Sequence, residues 1–408
     1  MRAIAKSIVR PWTVTLAAPL LLYFVSDAFV RFDLRRQGWF DTWEYMRRAD
    51  AAVGYGLRGG VSNRLDGAET HTNEDGFRAR TPSGHFAPKA AGEILIATLG
   101  DSNTFGAGIE YEQTFPVLLE RHLKTRLQKP VRVVNLGVLG YSLVQSAEIL
   151  RRWAALAPDA LVVTVNSHND RVFVGRPDSA RAFAHDAQAL PYEFGDFISY
   201  PILYWYRKSL RQKLARQTAP AFEARIPLPR VAKQDYPALM AQVAKFATSR
   251  SMKVVFLTTL ESSDSPEAEA GIAALRRSDP AAALEAFTRA QLAHGPQFPS
   301  AYWAYRAALE LGRDADAREI RARYVQSYAR YSDTYLLNFS YYGGEYAELV
   351  REAAKQLNAP LVDLHQTFET AGVRFYHGHY DSKGHALVAE ALTPVLAELL
   401  TTRASAAR

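Results

Sequence analysis

The sequence predicts an α/β protein: a three-layer α/β/α sandwich on a mainly parallel sheet, with an inserted helical segment and an N-terminal transmembrane helix. Three observations lead there. From Glu93 onward, short apolar runs of strand length alternate with amphipathic stretches of helical length, the alternation that builds a parallel sheet covered on both faces. Hydrophobic residues make up 48% and charged residues 22% of the 408 positions, which suits a chain that buries a core and excludes a disordered or fibrous one. An apolar run also opens the chain behind the basic residues Arg2, Lys6 and Arg10.

That run extends from Pro11 to about Val30, interrupted by Asp27. Twenty helical residues at about 1.5 Å each cover roughly the 30 Å core of a bilayer. A buried soluble helix is the bland reading, and two others stay open. In one the run is an uncleaved anchor whose basic flank stays in the cytoplasm. In the other it is a cleaved signal peptide, with small Ser26 and Ala28 near the cut. Both place the rest of the chain on the far side of the inner membrane, in the periplasm or outside, and the anchor makes it a single-pass protein. Residues 31–90 read as an irregular, polar N-terminal extension in which Thr72 to Arg78 forms a turn before an extended segment.

The α/β body follows. Ile94–Leu99 is an apolar strand flanked by Gly92 and Gly100, and Phe115–Leu127 an amphipathic helix. Val131–Asn135 is the second strand, Ser142–Ala157 a helix and Leu161–Asn166 the third strand. Residues 171–230 break the alternation with aromatics and prolines; the aromatics from Tyr192 to Tyr206 suit cap packing or a sugar platform. Asp235–Ser249 resumes as a helix, Lys253–Leu260 as the fourth strand, Glu348–Leu357 as a helix, Pro360–Leu364 as the fifth strand and Ser382–Leu400 as the closing helix. The units are 1–30, 31–90, 91–264 for the first part of the α/β body, 265–334 for the insert and 335–402 for the last part of the body.

The insert carries a period. Gly271, Ala283, Phe287 and Ala290 follow the small, small, aromatic, small pattern of a tetratricopeptide helix pair, and a shift of 34 residues takes Ala283 to Ala317 and Ser278 to Gly312. The second copy then departs, with Arg321 and Tyr324 at the remaining places. One full and one degenerate tetratricopeptide-like repeat cannot stand alone as a solenoid. The insert is therefore expected to lean on the body, as a structural hairpin pair or as a surface for a protein partner.

The chain has no cysteine, which excludes a disulfide framework, a thiolate nucleophile and cysteine-ligated metal. Any nucleophile is an oxygen or a nitrogen. Lys plus Arg exceed Asp plus Glu by 49 − 42 = 7, a mild excess that suits anionic lipid or acidic glycan and does not call for nucleic acid.

The chemistry concentrates at strand ends. Leu99-Gly100-Asp101-Ser102-Asn103-Thr104 leaves the first strand, Asn135-Leu136-Gly137-Val138-Leu139-Gly140 the second, and Ser167-His168-Asn169-Asp170 the third. Ligands bind at the carboxyl ends of an open parallel sheet. A serine hydroxyl, a glycine loop and an asparagine amide are the parts that acyl transfer needs: a nucleophile, and donors for the oxyanion. His379, just before the closing helix and followed by Gly384-His385, is the candidate general base.

These four blocks resemble the SGNH/GDSL hydrolase superfamily, in the exported, membrane-linked form suggested also by Thr72 to Arg78 and Pro229-Arg230-Val231. The resemblance covers about 93–170, 230–260 and 345–400. It implies an SGNH, flavodoxin-like fold and a serine esterase or acyltransferase without cofactor or metal. Ser102 is the nucleophile, His379 the base, and Ser102, Gly140 and Asn169 form the oxyanion hole. Export points to acylated envelope glycans or lipids, with O-acetyl groups as the substrate class. Two departures stand out. Ser167 holds a place the family gives to glycine, and Tyr376 stands where the family places its acid, three residues before the histidine. The resemblance admits a Ser–His dyad. Asp101, read as a partner of the turn, and Asp381, on the far side of His379, are the candidate acid or supporting residues. Asp363 reads as a loop buttress, and the cluster His377, His379 and His385 lacks a carboxylate set for a metal. The alternative is a catalytically inactive binding protein of the same fold, holding an envelope assembly through its insert.

Overall fold

The computed structural model describes residues 11–36, 43–171, 173–174, 178–180, 228–259, 266–294, 298–330, 343–376 and 379–402. The expected aromatic cap from Tyr192 to Tyr206 and His377 lie outside these residues.

Helix α1 (Pro11–Arg36) runs past the expected end of the apolar segment, and Asp27 pairs with Arg31 one turn on at 2.7 Å. The expectation of a transmembrane helix is corrected here: among the described residues no helix is long and apolar enough to cross a membrane. Asp27, Arg31, Asp33, Arg35 and Arg36 place charge through its last turns, where apolar side chains would be needed.

The extension is ordered, contrary to the irregular reading. After a single helical turn, α2 (Trp43–Met46), β1 (Arg47–Asp50) pairs antiparallel with β2 (Gly54–Leu57), while β3 (Ser62–Leu65), β4 (Ala68–Thr72) and β5 (Arg78–Ala79) form an antiparallel sheet. Between β3 and β4 stand only Asp66 and Gly67, both at positive φ, 49° and 88°. Those are the dihedrals of a two-residue hairpin turn of mirror-image type, for which Asp-Gly is a favoured pair. The strands carry few large apolar residues, so neither period nor hydrophobicity marks them; docking on the body orders them.

The body is a parallel five-stranded sheet. Its strands are β6 (Ile94–Leu99), β7 (Val131–Asn135), β8 (Ala160–Thr164), β11 (Lys253–Thr258) and β12 (Leu361–Asp363), in spatial order β12-β11-β8-β6-β7. The short pair β9 (Phe173–Val174) and β10 (Leu228–Pro229) lies outside that sheet. Numbering the five body strands along the chain gives the order 2-1-3-4-5, whose direction reverses between β6 and β8; such a switch point opens a crevice at the strand ends.

Helices cover both faces. On one side pack α4 (Phe115–Leu127) and the closing helix (Ser382–Thr401), around Ile96, Leu119, Leu123, Val162, Val388 and Leu392. The other face holds α5 (Leu143–Trp153) and the helices Tyr236–Ser249 and Gly343–Gln356, around Leu95, Ala97, Leu150, Val163, Met240 and Val350. Ile96 faces one layer while Leu95 and Ala97 face the other, the two-residue alternation of a strand buried on both sides. Each such Leu or Val contributes about 1.5–3 kcal/mol when buried.

The insert forms four helices, Pro266–Arg276, Pro280–His294, Phe298–Glu310 and Asp314–Arg330, around a core of its own that includes Ala283, Phe287, Ala304, Ala308 and Ala317. A Cβ on Gly271 would lie 2.7 Å from the Phe287 ring, so the small-against-aromatic pairing is a real contact.

Candidate active site

Block one starts with a close approach. A Cβ on Gly100 would lie 2.2 Å from Thr104 Oγ1 and 2.9 Å from Thr164, so only glycine lets β6 exit against β8. Ser102 then opens the one-turn helix α3 (Ser102–Phe105). Asp101 is buried and caps it, Oδ1 accepting from the Asn103 N–H at 2.9 Å. Its Oδ2 accepts from the Asn169 side-chain amide at 3.1 Å. Burial pushes the Asp101 carboxyl above its ordinary value, while the Asn103 N–H, His379 and the Asn169 amide pull it back. Both carboxylate oxygens of Asp101 are thus engaged, one within block one and the other in tying it to block three. One of the two amide hydrogens of Asn169 points to Asp101, and a side-chain amide carries a second.

Block two is tied to block one by backbone. Gly100 O accepts from the Val138 N–H at 3.1 Å, and the Asn135 side-chain amide donates to Thr104 O at 2.8 Å. Gly140 has φ 76°, and a Cβ there would lie 2.6 Å from the Tyr55 hydroxyl. That hydroxyl donates to Leu139 O at 2.8 Å, while Arg230 Nη1 donates to Gly140 O at 2.6 Å. Arg230 is buried against Asp178 at 2.8 Å, which gives Pro229-Arg230-Val231 its work: it fixes the glycine loop.

Block three explains the tolerated serine. Positive φ falls on Asn166, at 59°, and Ser167 is not among the residues with positive φ. Asp170 accepts from the Leu143 and Ser167 N–H groups at 2.6 and 3.0 Å and from the Tyr236 hydroxyl at 2.7 Å. Burial raises its carboxyl to about 6 against those donors. His168 is held down at about 3 by burial and by the charges of Arg171, His379 and Arg230, so it is neutral at pH 7.

His379 arrives on a hairpin in which β13 (Phe375–Tyr376) pairs with β14 (His379–Tyr380), Tyr376 opposite His379. The Tyr380 N–H donates to Asn103 Oδ1 at 3.2 Å, which places the residue after His379 beside the residue after Ser102. Asp381 caps the closing helix, accepting from the Gly384 N–H at 3.0 Å. His385 is buried, its Nδ1 accepting from the Phe115 N–H at 3.1 Å, and burial holds its imidazole down at about 3. Gly384-His385 is thus a packing device that docks the closing helix on α4. Asp363 accepts from the His365 N–H at 3.1 Å and pairs with Arg351 at 2.7 Å. Among the described residues no group of three or more His, Asp or Glu side chains could hold a metal ion.

Residues 98–292 match the model of the GDSL-like Lipase/Acylhydrolase family. That stretch is similar to the GDSL-like lipase/acylhydrolase family. The matched stretch holds Ser102, Gly140 and Asn169; His379 lies beyond it, and its neighbour Tyr380 contacts Asn103. No curated protein matches the chain. Solved structures with likeness to it include "Crystal Structure of TesA" (14% identity, 75% of this chain and 99% of that one, TM-score 0.36) and the acetyl xylan esterase AlAXEase (13%, 74% and 99%, 0.35). The lipase/acylhydrolase from Enterococcus faecalis is another (11%, 75% and 96%, 0.34). Likeness at that level carries nothing about substrate.

One residue at the site was missed by the sequence reading. The Asp66 carboxylate stands 3.8 Å from His379 Nδ1. The Asp66-Gly67 pair is a hairpin signal, and it lay unused in a segment read as irregular.

Proposed function

We propose that the GDSL-like hydrolase domain is a serine esterase or acyltransferase acting on ester-linked acyl groups, most simply O-acetyl groups of envelope glycans or lipids. The observation that carries this is the pair of bonds from block one to the other blocks: Asp101 to Asn169 and Asn103 to Tyr380. They bracket Ser102 between an amide donor and the hairpin that bears His379. In the reaction, Ser102 Oγ attacks the ester carbonyl carbon and its proton passes to His379 Nε2. The Ser102 and Gly140 N–H groups and the Asn169 amide receive the negative charge that builds on the carbonyl oxygen. His379 then returns the proton to the leaving alcohol, and water or a second sugar hydroxyl takes the acyl group.

The proposal includes a place at the outer face of the inner membrane. Leu20, Leu21, Leu22, Phe24, Val25, Phe29 and Phe32 of α1 are exposed, an apolar surface suited to lipid, and basic residues precede it. We propose the insert as a tetratricopeptide-like surface for a protein partner. Its turn residues Ser278 and Gly312, 312 − 278 = 34 apart, both take positive φ, 57° and 68°.

The test is fluorophosphonate labelling and aryl acetate hydrolysis by the wild type and Ser102→Ala. Labelling and turnover that vanish in the variant, with unchanged thermal unfolding, are expected. Equal turnover by the two would sink the site. Fractionation tests the location: the full chain should sediment with membranes, and a form lacking residues 1–36 should not.

A further inference from the structure

We propose that Asp66, at the tip of the β3–β4 hairpin of the N-terminal extension, is the carboxylate that positions His379, so that the triad is completed from a segment outside the catalytic domain. The inference rests on the esterase reading for its consequence, though not for its geometry.

Four observations carry it. Asp66 Oδ2 faces His379 Nδ1 at 3.8 Å, with both side chains partly shielded, 33% and 21% exposed. Nδ1 is the nitrogen that a triad acid must hold, since Nε2 serves the serine. The separation exceeds a hydrogen bond, but such links are often long before substrate binds and tighten in the complex.

The hairpin tip is also fixed. Asp66 sits at φ 49° beside Gly67 at φ 88°, with Leu65 and Ala68 on either side paired and buried. The sheet behind it is tied to the loop that follows α3. The buried Arg78 donates to Glu69 O at 3.0 Å and to Ile109 O at 2.8 Å, and the Glu69 N–H donates to Glu110 Oε1 at 3.2 Å.

That loop has made room for the tip. A Cβ on Gly108 would lie 3.3 Å from Asp66 Cβ, and Gly108 itself has φ 71°. The carboxylate is therefore delivered to a place framed by the same loop that leaves Ser102.

The other candidate acids are engaged elsewhere. Asp381 caps the closing helix, Asp101 spends one oxygen on the Asn103 N–H and the other on Asn169, and Asp363 holds His365 and Arg351. The family position holds Tyr376. With Asp66 ionised, the Nδ1 proton stays on the imidazole and points at the carboxylate. Nε2 is left as the acceptor for the Ser102 proton, and the imidazolium formed is stabilised without Asp66 itself taking a proton. Among the described residues, groups that act on the His379 charge include Asp66 from the hairpin, Asp101 before α3, His168 from the loop after β8 and His385 from the closing helix.

The test compares wild type with Asp66→Asn, Asp66→Gly and Asp66→Glu. Asn and Gly both accept positive φ, so the turn survives while the charge is lost. Two readouts are needed. The first is the NMR titration of the His379 ring, assigned with His379→Gln. Loss of the carboxylate should move its midpoint to lower pH in both the Asn and Gly variants, with thermal unfolding unchanged. The second is aryl acetate turnover, where kcat should fall by about 10²–10⁴ with KM within about threefold and the acid limb of kcat/KM shifted to lower pH; Asp66→Glu should recover part of it. An unmoved His379 midpoint in the Asn and Gly variants overturns the inference, whatever the activity. A midpoint that moves in a protein whose wild type neither labels nor turns over leaves the pairing standing and overturns the esterase reading instead.

Discussion

The side chain of Asn103 accepts a hydrogen bond from the Tyr380 backbone N–H at 3.2 Å, across 277 positions of sequence. Each partner follows a residue of the proposed chemistry, Ser102 and His379. The bond therefore sets the spacing of nucleophile and base more directly than any contact within either block. A buried N–H left without a partner costs about 1–3 kcal/mol, and Tyr380 is buried.

Asn103→Ala should thus lower the free energy of unfolding by about 1–3 kcal/mol and lower kcat by more than that loss alone would suggest, because the His379 hairpin is released. Urea unfolding and aryl acetate kinetics on the same preparation measure both. A variant as active as wild type would show that the hairpin is held by other contacts.

Asn169→Ala removes a proposed oxyanion donor, at a cost of about 10²–10³ in kcat with KM little changed. It also strips a hydrogen bond from the buried Asp101 carboxylate. A loss below about threefold would mean that the amide serves Asp101 alone.

Gly140→Ala meets two obstacles, the positive φ of 76° and the Tyr55 hydroxyl 2.6 Å from the new methyl. A left-handed alanine costs about 1–2 kcal/mol, and the backbone N–H proposed for the oxyanion would turn away. Activity should fall by at least tenfold while Tm falls modestly. Pairing the change with Tyr55→Phe removes the hydroxyl from the clash and should restore part of Tm without restoring kcat.

The pH dependence of stability carries a signature of His385. Its folded value, about 3, lies below the ordinary 6.5. The folded state therefore binds this proton less readily than the unfolded one. The corresponding stability is fully present above pH 6.5 and drains away as pH falls toward about 3, by up to about 1.4 kcal/mol per pH unit. His168 adds a second contribution of the same sign, and Asp170, raised to about 6 from 3.8, opposes them between those two values. His385→Gln should flatten the wild-type curve by about one proton between pH 6.5 and 3. Denaturant midpoints across that range check it, and parallel curves would refute it.

The local sequence by itself determined the body. An apolar run bounded by glycine marked β6 to the residue, the alternation placed β7 at Val131–Asn135, and the helical period marked Phe115–Leu127 likewise, because burial on two faces and on one face write different periods into a chain. It also marked Ser102, Gly140, Asn169 and His379 as site candidates, since reactive side chains at strand ends need particular residue types at particular loop positions. The tertiary structure decided what those candidates lean on. Arg230 at Gly140, Tyr55 at Leu139 and Asp66 at His379 come from segments far away in sequence, and no local period announces a contact closed by docking. The extension shows the reason most clearly. Strands of four or five residues with few apolar side chains carry too little pattern to be read, and the contacts that tie them to the body, such as those of Arg78 with Glu69 and Ile109, close only in the tertiary structure. Asp381 shows the converse. Nearness in sequence made it a candidate acid, yet the geometry of the helix that follows turns its carboxylate to the Gly384 N–H, because the first N–H groups of a helix need an acceptor.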